Sequence, residues 1–144
     1  MYSNEFIEMK GMTPEQHVRF GILFALKVCN VPQWDTWANN WLSGKDRSAG
    51  AAVAAEQLVQ ERLRLEQWAA LMSDIQDEDF CENLLPFDVL FAVARAAKWL
   101  ILQNPANVIN EIVLCRRLLD GAWEYHDRIP EINFLELAHH VMSE

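Results

Sequence analysis

Apolar residues recur at three- and four-residue intervals along most of this chain, the spacing that gathers them on one face of an α-helix. No segment of about four to eight residues alternates apolar with polar, as a half-buried strand requires. Stripes of the helical kind are buried by packing helix on helix, so the sequence predicts an all-α fold. Only five glycines and five prolines interrupt the 144 residues, which favours long helices over many short elements.

Punctuation divides the pattern into five to six helices. Thr13-Pro14-Glu15-Gln16 supplies a cap, a proline at the first helical position and the glutamine of a capping box. The first helix then runs to about residue 29, with Val18, Ile22, Ala25, Leu26 and Cys29 as its stripe and Phe20 and Phe24 widening it. Pro32 opens a short second helix on which Trp34, Trp37, Ala38, Trp41 and Leu42 share a face, and Ser43-Gly44 ends it. Trp37 and Trp41 are expected in the core, while Trp34, at the helix start, is expected to stay partly exposed and to join a binding surface.

Asp46 or Ser48 caps a third helix that reaches about residue 72. Its alanine-rich start at 49–55 permits close approach, and Leu58, Leu65, Trp68, Ala69 and Met72 are expected to continue its inward face. The polar stretch 73–82 reads as an exposed loop. The uniformly apolar stretch 87–103 reads as the central, most buried helix. Asn104-Pro105 starts a fifth helix through Val108, Ile109, Ile112, Cys115 and Leu119, which either ends at Gly121 or continues to His126. Pro130 is expected to open a last helix with Phe134, Leu137, Ala138 and Val141 facing inward. The whole reads as one compact bundle over 1–144, with 1–12 as a loosely packed arm.

Three cysteines at wide spacing, Cys29, Cys81 and Cys115, form no metal or redox pair and read as reduced thiols. Residues 1–11 carry Glu5, Glu8 and Lys10 and lack the apolar run of a signal peptide. The apolar region 84–102 contains Asp88, Arg95, Lys98 and Pro86, which argues against a membrane span. A cytoplasmic location is the expectation.

The net charge of −9 is uneven. Up to Ala70 eight acids face seven bases, whereas from Leu71 onward thirteen acids face five bases. Such a surface repels nucleic acid, whose affinity rests on clustered Lys and Arg, and attracts a basic protein.

No motif for chemistry survives a spacing test. His126-Asp127 suggests a metal-dependent phosphohydrolase, but no later Asp follows. Glu136 and His139 stand at the spacing of a di-iron ligand pair that such a site needs twice. Ser43-Gly44-Lys45-Asp46 lacks the first glycine and the magnesium-binding hydroxyl of a phosphate loop. Arg116-Arg117 is too short for a nucleic-acid patch and is expected to pair with Glu111, Asp120 or the acidic stretch.

The sequence thus points to a non-enzymatic protein-binding module of the inhibitor, immunity-protein or adaptor kind, with no catalytic residue, metal or cofactor. The expected contact residues are Asp74, Asp77, Glu78, Asp79 and Glu82, joined by Glu124, Asp127 and Trp34, docking on a basic protein. The alternatives are a metal-dependent helical nucleotide hydrolase built on Glu124 and Asp127, and a self-associating helical subunit.

Overall fold

A computed structural model describes residues 6–73, 77–126 and 129–143, with side chains for 6–68, 84–126 and 129–143. Among the described residues there is no strand, and six α-helices pack as a compact bundle. They are α1 (Pro14–Val28), α2 (Pro32–Ser43), α3 (Ala49–Ser73), α4 (Asp77–Ile101), α5 (Pro105–Leu119) and α6 (Phe134–Met142). Short 3-10 turns at Ile7–Met9 and Ala122–Glu124 join them.

The helix starts follow from side-chain chemistry. The Gln16 amide donates to Thr13 Oγ1 at 3.1 Å and the Thr13 amide donates to Gln16 Oε1 at 2.9 Å, closing the expected capping box. Ser48 Oγ accepts from the Ala51 amide, and Asp46 Oδ1 accepts from the Ser48 amide, so both cap residues named from the sequence act at α3. Asn104 Oδ1 caps α5 through the Asn107 amide. At α5's end Gly121 adopts φ +70°, a left-handed conformation that only glycine takes without strain. The helix therefore stops there, and the chain continues as the Ala122–Glu124 turn.

Two boundaries differ from the sequence expectation. The last helix starts at Asn133, whose Oδ1 accepts from the Glu136 amide, and not at Pro130. Buried Ile129 and Ile132 hold the segment before it against the core in a non-helical path. The stretch expected as a loop at 73–82 is helical from Asp77, and α4 runs straight through Pro86. Proline lacks the N–H of a ladder bond and disfavours a helix interior by about 3 kcal/mol. Here α3 packs along α4 in an antiparallel hairpin, and tertiary packing outweighs that local preference.

The core is centred on α1, α4 and α5. Phe20, Ile22 and Phe24 of α1, Val89, Leu90 and Val93 of α4 and Ile112 and Leu119 of α5 are fully or almost fully buried, as the expectation of a central helix near 87–103 required for α4. The ring of Phe134 from α6 meets Phe24 at 5.8 Å and Phe20 at 6.3 Å, edge to face, a favoured aromatic geometry. At Gly21 the missing side chain lets α1 approach two helices at once. A Cβ built there stands 2.6 Å from Ile112 Cδ1 and 3.2 Å from Val93 Cγ2.

The tryptophan face of α2 is more deeply buried than expected. Trp34 is completely covered, as are Trp37 and Trp41 within a few per cent, which corrects the placement of Trp34 on a binding surface. Val31 is buried just ahead of the helix, so the first turn of α2 is already pressed onto the core. The rings of Trp34 and Trp37 pack edge to face at 5.3 Å. This burial leaves Trp34 Nε1, Trp37 Nε1 and Asp35 Oδ1 without hydrogen-bond partners, and it raises the Asp35 carboxyl above its ordinary pKa.

The opposite correction applies to α3. Leu65 and Trp68, expected to face inward, are 54% and 63% exposed; the side chains of Ala69 and Met72 lie outside the described residues. The 25 residues of α3 span about 38 Å against about 18 Å for the 12 of α2. α3 packs on α2 and α4, and α2 is too short to run along all of it.

Two measurements test this core. Gly21→Val forces methyl groups into Ile112 and Val93, and is expected to lower stability by about 2–3 kcal/mol in urea unfolding; an unchanged midpoint disproves the close approach. His17 is buried, its Nδ1–H donates to the Thr13 carbonyl at 2.9 Å, and burial lowers its pKa. The unfolded state then binds the proton more readily, so the His17 contribution is complete above about pH 6.5 and is lost as pH falls through the lowered folded value. His17→Gln is expected to lose less stability than the parent between about pH 7 and about pH 5, and parallel curves for the two proteins refute that role.

Candidate functional site

The last turn of α5 carries Arg116, which is only 10% exposed. Its Nε donates to Glu8 Oε1 at 2.7 Å and its Nη1 donates to Asp120 Oδ1 at 3.0 Å. The guanidinium also lies 3.8 Å from the centre of the Phe134 ring and 4.4 Å from that of Phe6. A planar cation with forked donors meets two carboxylates edge-on and two rings face-on, which an ammonium cannot do. This one side chain ties the Ile7–Met9 turn and α6 to α5. Met9 and Met12 are buried beside it, so residues 6–12 are held at both charge and core contacts.

Of the partners expected for Arg116, Asp120 is observed and Glu111 is not. Glu111 is taken by Arg95 of α4, through Oε2 to Nε and through Oε1 to Nη2 at 3.2 Å. Glu8, some hundred residues away in the chain, was not foreseen. Local spacing carries no signal for a partner brought in by tertiary folding.

Next to Arg116 opens a cleft of about 600 Å³, walled by Glu8, Arg116, Asp120, Trp123, Glu131 and Leu135. Trp123 is 45% exposed, and Asp120, Glu131 and Leu135 also reach solvent. Glu124, one of the expected contact residues, is exposed on the Ala122–Glu124 turn. It is not among the residues that line this cleft. Asp127 lies outside the described residues.

The second surface is the far end of the α3–α4 hairpin. Lys98 of α4 pairs with Glu56 of α3 at 3.1 Å, and the Arg62 guanidinium lies over the Phe87 ring at 5.5 Å, so the two helices run antiparallel. Exposed Leu65 and Trp68 stand on successive turns of α3 shortly before the acidic stretch. Asp77, Glu78, Asp79 and Glu82 fall on the first turns of α4; their side chains, and all of Asp74, lie outside the described residues.

Groups suited to catalysis are dispersed. Among the described residues no three His, Cys, Asp or Glu side chains gather to hold a metal ion. His126 is buried, whereas Glu136, His139 and His140 are exposed on α6. The Cys115 thiol is buried against the Val89 carbonyl, and burial pushes its pKa far up, which keeps it protonated and unreactive. No described helix is long and apolar enough to cross a membrane. No family model, curated protein or solved structure matches the chain.

The Arg116 cluster has a measurable energy. Arg116→Met leaves the Glu8 carboxylate buried without its counter-charge, and a loss of about 3–5 kcal/mol is expected. Adding Glu8→Gln removes the stranded charge and is expected to restore part of that loss. Equal losses in the single and double variants, read from urea unfolding, exclude the ion pair as the source.

Proposed function

We propose that this protein is a non-enzymatic binding module that docks on a basic protein partner, as small inhibitors, immunity proteins and adaptors do. The observation that carries the reading is the exposure of Leu65 and Trp68 on successive turns of α3, just ahead of the acidic stretch 74–82. Tryptophan is among the side chains most enriched at interface anchors. An acidic segment next to it in the sequence would steer a basic partner toward it and disfavour acidic ones. The remaining tryptophan-rich face, on α2, is consumed by the core, so the binding surface is at the hairpin end and not on the Trp34 face.

The test is capture from the native host by the full chain. One variant carries Leu65→Ser and Trp68→Ser; a second carries Asp77→Asn, Glu78→Gln, Asp79→Asn and Glu82→Gln. The parent is expected to retain a protein with a basic surface, more strongly in low salt than in high salt. Each variant is expected to lose about tenfold or more of that capture, which corresponds to about 1.4 kcal/mol. Equal capture by parent and variants, or retention indifferent to salt, removes the hairpin end as the docking surface. Capture of further copies of this chain alone replaces the reading with self-association.

A further inference from the structure

We infer that the cleft at the end of α5 is a receptor for an arginine side chain presented by the protein partner. This rests on the docking reading and adds a site of defined chemistry to it.

Among the described residues three carboxylates wall the cleft, those of Glu8, Asp120 and Glu131, against the guanidinium of Arg116. Arg116 is already engaged: it gives its Nε to Glu8 and its Nη1 to Asp120, and its plane is held between two phenylalanine rings. It therefore neutralises the Glu8 end of the cleft and leaves the solvent end negative. Asp120 uses only Oδ1 toward Arg116, and its side chain is 64% exposed. Glu131, also in the lining, is exposed. An anion entering here meets like charge. An uncharged apolar group desolvates carboxylates without compensation. A cation is the one class of group that the lining stabilises, and low-dielectric walls strengthen the attraction.

The aromatic wall decides between cations. Trp123 lines the cleft and is 45% exposed, and indole is the best of the side-chain partners for a cation over its face. A guanidinium stacks on such a face while its edge donates to two carboxylates; an ammonium has neither the plane nor the fork. The protein already uses this arrangement once, where Arg116 lies between Phe6 and Phe134 with Glu8 and Asp120 at its edge. The volume of about 600 Å³ is in the range of small-ligand clefts and admits a full side chain with its flanking backbone.

The experiment titrates the ¹⁵N-labelled full chain with the blocked tripeptide Gly-Arg-Gly, following the indole N–H signal of Trp123, assigned through Trp123→Phe. A saturable shift is expected. The Gly-citrulline-Gly peptide, which keeps the shape and drops the charge, is expected to bind at least about tenfold more weakly. Glu131→Gln, which leaves both partners of Arg116 in place, is expected to weaken the arginine peptide severalfold, and Glu131→Gln with Asp120→Asn to weaken it further. No saturable shift, equal binding of the citrulline peptide, equal binding of Gly-Lys-Gly, or an unchanged affinity in Glu131→Gln overturns the assignment. Its failure is distinguishable from failure of the docking reading. If the peptide does not bind while the hairpin variants still lose their captured partner, the cleft alone is excluded. If the peptide binds while capture is indifferent to the hairpin variants, the cleft stands and the hairpin surface does not.

Discussion

Three helices cross where α1 carries no side chain. At Gly21 the backbone of α1 lies against Ile112 of α5 and Val93 of α4, so that a Cβ there would press on Val93 and require the Ile112 side chain to shift. That approach lets α1 pack against α4 and α5 at one point. Helix interiors disfavour glycine by about 1 kcal/mol, so its presence in the middle of α1 is a local cost offset by tighter burial around it.

Arg116 transmits that order to the chain termini. Buried ion pairs are weak contributors to net stability because both charges lose their water, but they are costly to break singly and so are selective about geometry. Here one guanidinium accepts two carboxylate partners and two aromatic faces, and it joins the Ile7–Met9 turn, α5 and α6 in a single arrangement. The cleft beside it is a by-product of the same geometry. The carboxylates that hold Arg116 also wall the cavity, and the left-handed turn at Gly121 places Trp123 on its edge.

The two exposed surfaces share a composition: an aromatic residue with an aliphatic neighbour, Trp68 with Leu65 and Trp123 with Leu135, next to acidic residues. The groups able to act as nucleophile or base show the reverse arrangement. Cys115 and His17 are enclosed by apolar neighbours that keep them uncharged, and the exposed histidines of α6 have no converging partners for a metal ion among the described residues.

The helices themselves were legible in the amino-acid order, because capping and helical spacing are local: Thr13 with Gln16, Ser48, Asn104 and Gly121 act within three or four residues of where they stand. The buried character of Trp37 and Trp41 and of the middle of α4 was legible for the same reason, since a stripe on one face must be covered. What covers a stripe is not local. Periodicity marks Trp34 and Trp68 alike as apolar helix positions, yet Trp34 is enclosed because Val31 pins the first turn of α2 to the core, and Trp68 is exposed because α3 outruns α2. The same limit hid the partnership of Arg116 with Glu8 and the helical state of the chain from Asp77 through Pro86. Sequence determined the elements and their faces through interactions within one helical turn; the tertiary structure alone decided which faces find a neighbour, because that depends on relative helix lengths and on contacts between residues far apart in the chain.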